Sequence, residues 1–216
     1  MSQPDRLRIT EIFYSLQGEA DTAGWPTVFV RLTGCPLRCN YCDTEYAFQG
    51  GEWKGFGEIV DEISRYGTPY VCVTGGEPLA QKQCVNLLTM LCDLGYRVSL
   101  ETSGAMDIAP VDSRVSVVMD LKTPASGEVE KNLMSNISEL DKNDQVKFVI
   151  CNREDYEWSK QMVSEHAINK KCSVLFSPSF GQVKPAELAN WILQDKLNVR
   201  FQLQLHKILW GEAQGR

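Results

Sequence analysis

Apolar and polar positions divide the chain into two alternating patterns. Short β-branched runs occur at 27–33 (TVFVRLT), 70–74 (YVCVT), 96–101 (YRVSLE), 115–120 (VSVVMD), 146–150 (VKFVI) and 173–177 (SVLFS). Their near-continuous apolar character predicts six strands buried on both faces. Between them the period changes. Phe56, Ile59, Val60 and Ile63 recur at helical spacing, as do Cys84, Leu87, Leu88, Leu91 and Leu94, which predicts amphipathic helices packed on the sheet. Gly95 follows the second set, at the place where a left-handed residue commonly ends a helix. Further helices are expected over about 154–167 and 185–195, the latter with Pro185 in its first turn.

Strand, helix and strand in repeated succession imply parallel pairing through right-handed crossovers. A complete eightfold barrel typically takes ~250 residues, and this chain of 216 residues offers six central strands. The pattern therefore predicts an α/β fold, an incomplete, open (β/α) barrel with about six core parallel strands, in a single domain spanning 1–216. LRITEIFYS (7–15) and VRFQLQL (199–205) are candidate edge strands. No internal repeat, linker or low-complexity tract interrupts the series.

Composition narrows the class. Apolar residues at 43% and charged residues at 23% suit a globular protein and set aside disorder. The start, MSQPDRLRIT, lacks the apolar core of a secretion signal, and no run approaches the roughly 18 apolar residues of a membrane span. A cytoplasmic location without a membrane partner is expected. The net charge of −6 argues against nucleic acid, whose binding rests on many cations neutralising phosphates; a small-molecule partner fits better. Eight cysteines in such a chain are expected to be reduced. Cys72, Cys84, Cys92, Cys151 and Cys172 lie in apolar or mixed segments and read as small hydrophobes.

The remaining three, Cys35, Cys39 and Cys42, fall within eight residues of GCPLRCNYCDTEYAF (34–48). Ligands of open parallel sheets gather at the carboxyl ends of the strands, and the polar motifs fall there: the cysteine loop after the first strand, TGGEP (74–78) after the second, ETSG (101–104) after the third and DLK (120–122) after the fourth. Structural zinc would need a fourth ligand. The histidines, His166 and His206, are remote in sequence, so zinc would require completion over a long range. A cubic 4Fe-4S cluster normally takes four thiolates, and three would leave one iron open to an exogenous chelator.

The spacing of three residues and then two, with Tyr41 in the second gap, resembles the signature of the radical S-adenosylmethionine superfamily. The resemblance implies a 4Fe-4S cluster on Cys35, Cys39 and Cys42 whose open iron is chelated by S-adenosylmethionine (SAM). One electron then cleaves the sulfonium, and the resulting 5'-deoxyadenosyl radical takes hydrogen from substrate. No side chain is expected to perform that abstraction, which belongs to the cofactor. TGGEP resembles the superfamily's glycine-rich element, with Gly75 and Gly76 allowing backbone to approach the methionyl group and Glu77 accepting from its ammonium. Tyr41, Asp43, Ser103, Asp120, Leu121 and Lys122 complete the implied SAM set.

Within the superfamily, SLQGEA (15–20), FVRLTGCPLRCNYCDTEYAF (29–48), TGGEPL, ETSG and QLHK (204–207) resemble the 7-carboxy-7-deazaguanine synthase family over nearly the whole chain. That resemblance implies ring contraction of 6-carboxy-5,6,7,8-tetrahydropterin to 7-carboxy-7-deazaguanine with loss of ammonia, on the route to queuosine. It assigns Leu16, Gln17, Gly18, Arg31, Thr74 and His206 to the pterin, with Arg31 meeting the carboxylate as a guanidinium fork does, and Thr44 to Mg²⁺. It further implies a homodimer and an external electron donor such as flavodoxin. For Arg31 the competing reading is an ion pair with a structural acid; for Thr44, a turn residue; for His206, a purely structural histidine. Asp120-Leu121-Lys122 stands where many relatives have Ser-Pro-Lys, SPSFG (177–181) matches the family's later cofactor loop only loosely, and the ten residues after His206 carry no assignable pattern. A glycyl-radical enzyme activating protein and an iron-sulfur electron-transfer module are the alternative functions.

Overall fold

The structure, a computed structural model, describes residues 5–211, 213 and 215. The described chain runs β1 (Arg6–Leu16), β2 (Pro26–Leu32), β3 (Glu52–Gly55), α1 (Phe56–Ser64), β4 (Tyr70–Gly75), α2 (Cys84–Asp93), β5 (Arg97–Thr102), β6 (Ser116–Asp120), α3 (Asn136–Glu139), β7 (Gln145–Ile150), α4 (Arg153–Glu165), β8 (Ser173–Pro178), α5 (Pro185–Asp195), β9 (Arg200–Phe201) and α6 (Leu205–Trp210). The nine strands form one sheet in the order β3, β1, β2, β4, β5, β6, β7, β8, β9. β1 is antiparallel to both β2 and β3, and every pairing from β2 to β9 is parallel. With β3 and β9 as its two ends, the sheet is open, an α/β barrel that does not close.

All six expected central strands are present, within a residue or two of their expected bounds. One expectation needs correction: they are not apolar on both faces. Val71, Val73, Val98, Leu100, Val117, Met119, Val146, Phe148, Val174 and Phe176 alternate onto one face and pack into the core with Ile59, Ile63, Leu87, Leu88, Leu91, Tyr156 and Leu188 of the helices. The residues between them, among them Thr74, Glu101, Asp120 and Lys147, face a cavity. Strand alternation, with period two, separates the two sets. Cys72, Cys84, Cys151 and Cys172 are buried and all the cysteines are unbridged, in keeping with the hydrophobe reading.

The edges differ from expectation more than the centre. LRITEIFYS does form an edge-side strand, but β3 pairs beyond it, from Arg6 opposite Gly55 to Ile9 opposite Glu52. A register irregularity between Ile9 and Glu11 lets Ile9 and Ile12 both meet the core while Glu11 comes opposite Arg31 and Phe13 opposite Phe29. Such a bulge re-aims side chains. VRFQLQL, in contrast, keeps only two strand residues, and its end becomes α6. A ladder of two residues leaves the rest of the segment free to turn away, and Leu205 N donates to Gly18 O at 3.0 Å. α4 ends at Glu165, two residues earlier than expected, and Ala167 turns left-handed with φ +49°. Gly95, at φ +87°, follows α2 as foreseen.

Candidate active site

The cavity of about 500 Å³ lies at the carboxyl ends of the parallel strands. Its rim on one side is the loop from Thr33 to Thr44. Backbone contacts to three segments fix that loop: Gly34 N to Ala47 O at 2.8 Å, Glu77 N to Gly34 O at 2.8 Å, Asn40 N to Ser126 O at 2.9 Å and, through a side chain, Arg38 N to Glu128 Oε1 at 2.5 Å. Arg38 also donates to Cys35 O and Leu37 O, at 2.8 and 2.6 Å, while its guanidinium lies 4.2 Å from the centre of the Phe48 ring. The loop beyond β6 is itself tied down, since buried Asp155 accepts from Ala125 N at 2.9 Å and from Cys151 N at 3.0 Å.

Cys35, Cys39 and Cys42 all line the cavity. Burial raises each thiol, to about 11 for Cys39, while Lys122 pulls all three back down. Each thiol is also raised by at least one of the other two or raises it in turn, which is the electrostatic mark of a shared neighbourhood. A metal that binds thiolate supplies the missing positive charge and releases the protons. Among the described residues no three His, Cys, Asp or Glu side chains converge on a single ion. A donor set of three thiols beside an ammonium, spread along one rim, fits a polynuclear cluster with one position left for another ligand.

Glycines set the rim against the strands. A Cβ at Gly75, whose φ is +149°, would lie 2.3 Å from Leu32 O, and one at Gly76 would lie 2.3 Å from Gly34 O and 2.8 Å from Cys35 Cβ. Their missing side chains let the end of β4 touch the root of the cysteine loop, and both residues also line the cavity. Glu77 is a correction. Its carboxylate is fully buried and does not line the cavity. It accepts from Leu79 N at 3.0 Å, Thr102 Oγ1 at 2.9 Å, Ser103 N at 2.7 Å and Ser103 Oγ at 2.5 Å. Four donors fill the lone-pair sites of a carboxylate, so Glu77 braces β4 against β5 and has no capacity for a ligand ammonium. Leu121 is another. Its side chain is in the hydrophobic core and its N–H donates to Lys147 O at 2.9 Å, leaving Asp120 and Lys122 on either side to face the cavity.

The other expected residues are brought together: Leu16, Gln17, Gly18, Arg31, Tyr41, Asp43, Thr44, Thr74, Gly76, Ser103, Asp120, Lys122 and His206 line one cavity. Lys122 lies 5.7 Å from the centre of the Tyr41 ring. Arg31 does pair with a structural acid while lining the cavity. Its Nε is 2.7 Å from Glu11 Oε1, which also accepts from Tyr46 Oη at 2.7 Å. Burial opposes its charge, but Tyr46, Glu11 and Glu101 outweigh burial and hold it protonated. Engagement through Nε leaves the paired outer nitrogens for an anion. Thr44 Oγ1 donates to Asp43 Oδ1 at 2.8 Å, and Asp43 is 3.4 Å from Lys207.

Loop 17–25 and the C-terminal segment interlock. Ala20 N donates to Gln202 Oε1 at 2.8 Å, and Gln202 Nε2 returns a bond to Ala20 O at 3.1 Å. At Gly18 a Cβ would stand 2.2 Å from His206 Nδ1, so the imidazole is seated on bare backbone. Burial lowers the His206 pKa, with Glu19 and Asp43 opposing, which favours the neutral ring. His206 lies in the first turn of α6. Ser179, Phe180 and Gln182 of the loosely matched 177–181 region and its sequel also reach the cavity, as do Lys207, Gly211, Ala213 and Gly215.

Sequence reasoning passed over Glu19, Glu101 and Lys147. Glu101 accepts from Gln17 Nε2 at 3.2 Å and from Thr74 Oγ1 at 2.9 Å. A usable signal existed: a charged residue inside an apolar strand, as in QVKFVI (145–150), is expensive to bury and marks a polar face.

Over residues 29–123 the sequence matches the Radical SAM superfamily. A 7-carboxy-7-deazaguanine synthase of Chlorobaculum tepidum is 46% identical, covering 100% of both chains. The chain belongs to the 7-carboxy-7-deazaguanine synthase family. Another member, from Koribacter versatilis, is 42% identical over 94% of this chain and 97% of that protein. The crystal structure of QueE from Escherichia coli has the same fold, with a TM-score of 0.76 at 22% identity over 93% of this chain and 95% of that one. Membership in the family sets aside the activating-protein and electron-transfer readings. No helix among the described residues is long and apolar enough to cross a membrane.

Proposed function

We propose that this protein is a radical SAM lyase that converts 6-carboxy-5,6,7,8-tetrahydropterin to 7-carboxy-7-deazaguanine with release of ammonia, in the biosynthesis of queuosine and related 7-deazapurines. The observation that carries this reading is one cavity lined both by the three thiols and by Gln17, Arg31 and Thr74, in a chain 46% identical along its whole length to a protein of that name. When bound, the cluster and SAM would supply one-electron radical chemistry able to activate a carbon–hydrogen bond of the substrate.

The chain's own residues hold and orient. Cys35, Cys39 and Cys42 hold the cluster as thiolates. The backbone of Gly75 and Gly76, with Ser103, Asp120, Lys122 and Asp43, receives SAM, and Tyr41 offers a ring face to its adenine. Arg31 binds the substrate carboxylate with the nitrogens that Glu11 leaves free, and Leu16, Gln17, Gly18, Thr74 and His206 surround the pterin. Thr44 would be the protein's ligand for Mg²⁺; one hydroxyl is a weak site, so substrate oxygens and waters would have to supply the remaining ligands. The working assembly is a homodimer in the cytoplasm, where thiols stay reduced, and an external donor such as flavodoxin provides the electron.

Anaerobically reconstituted protein incubated with dithionite, SAM and carboxytetrahydropterin is expected to form 7-carboxy-7-deazaguanine detectable by mass, with Mg²⁺ stimulating turnover. SAM cleavage without that product would refute the substrate. In Thr44→Ala, a magnesium response equal to that of the parent would refute the metal assignment, since the cluster should be intact there by its visible absorption.

A further inference from the structure

Lys147 lies in the middle of β7 between Val146 and Phe148, which both face the core, so alternation turns its ammonium onto the cavity face. Burial disfavours the charge, but Glu19 and then Asp120 and Glu101 outweigh it and hold the group above the ordinary lysine range. Its Nζ is 2.8 Å from Glu19 Oε2 and 3.5 Å from Asp120 Oδ2. These carboxylates come from distant parts of the chain. Glu19 belongs to the loop that carries Gln17 and Gly18, and Asp120 ends β6, where Lys122 is also 3.2 Å from its Oδ2. A single cation joins the two.

The oxygens that Lys147 does not hold are the second observation. Glu19 Oε1 and Asp120 Oδ1 are buried without a hydrogen-bond partner among the described residues, while both residues line the cavity. An ionised carboxylate accepts at both oxygens, and a buried acceptor left unpaired is destabilising, so each marks a place where a ligand donor completes the bonding.

We infer that Lys147 is a positioning residue shared by the two ligands. It holds Glu19 through Oε2 and Asp120 through Oδ2, so that Glu19 Oε1 accepts an N–H of the substrate ring and Asp120 Oδ1 accepts a donor of SAM. Occupancy of one half of the cavity thereby tightens the other. The identity of the substrate in this scheme rests on the function proposed above; the link from Lys147 to Asp120 does not.

Anaerobic equilibrium binding to the reconstituted protein tests the bridge, with SAM affinity measured alone and at saturating carboxytetrahydropterin. In the parent protein the pterin should tighten SAM at least about fivefold, within the usual range of coupled sites. Lys147→Met should weaken each ligand by about tenfold and bring the coupling factor to one, at unchanged cluster absorption, whereas Lys147→Arg should retain coupling. Glu19→Gln should weaken the pterin and spare SAM measured alone; Asp120→Asn should do the reverse. These two variants keep Lys147 and carry the test if the methionine variant does not fold. Parent-like affinities and coupling in Lys147→Met, or loss of both ligands together in each single amide variant, would overturn the inference. Failure of the functional reading looks different: the parent would form no deazaguanine, while the SAM affinity of Lys147→Met would still report on the bridge to Asp120.

Discussion

The two faces of the central strands obey different rules. On the helix-facing side, Val73, Leu100, Met119 and Phe148 are fully buried and are interchangeable in kind, since any apolar side chain of similar volume fills such a layer. On the cavity side their neighbours Thr74, Glu101, Asp120 and Lys147 are also largely covered, but each is specified by a partner. One residue of shift along a strand moves a position from one regime to the other. Stability therefore depends on the first face and ligand recognition on the second, and the loops at the strand ends join them.

The largest effect expected is at those loops. Cys39→Ala should abolish activity and the cluster's visible absorption together, because two thiols from this loop cannot retain the cluster; retained turnover would separate the chemistry from the cavity altogether. Gly76→Ala comes next. Its Cβ would meet Gly34 O at 2.3 Å, so the root of the cysteine loop must move, and a displacement of that order costs about 10²-fold in rate. Parent-like kcat in that variant would mean that the loop is less tightly seated than its contacts imply.

The faces themselves are compared by Leu100→Ala and Thr74→Val. The first should cost about 2–5 kcal/mol in chemical denaturation and leave the substrate KM of the folded protein unchanged. The second removes the hydroxyl that donates to Glu101 and should raise KM with a smaller change in stability. Reversal of that pattern would break the division of labour. The smallest effect concerns pH. His206 has a folded pKa below its ordinary 6.5, mainly through burial, so the unfolded chain takes the proton first. Its contribution to stability is complete above pH 6.5 and declines as pH falls through the lower folded value. Thermal unfolding of the parent and of His206→Asn across that window should converge on acidification; parallel curves would contradict it.

Much of this site was legible in the chain because it is written in short-range spacing. Three cysteines within eight residues, paired glycines after a strand and LQGE before the first parallel strand all carry their meaning locally. The roles of Glu77 and Leu121 were misread for a complementary reason. Both sit inside ligand-like motifs, yet whether a side chain points at a cavity or into the core depends on the strand end it follows, and Thr102 and Ser103 claim Glu77 from 25 and 26 residues away.

Hydrophobic periodicity alone determined the number, type and order of the central strands and helices, since burial of one helical stripe or one strand face is a property of neighbouring residues. It could not determine which elements meet at the edges: β3 forms only against β1, and 205–210 becomes helical where loop 17–25 captures it. Nor could it reveal that Glu19, Asp120 and Lys147 share one charge cluster. Such a cluster is assembled by strand register across more than a hundred residues, and an ion pair at that separation leaves no periodic trace in the sequence.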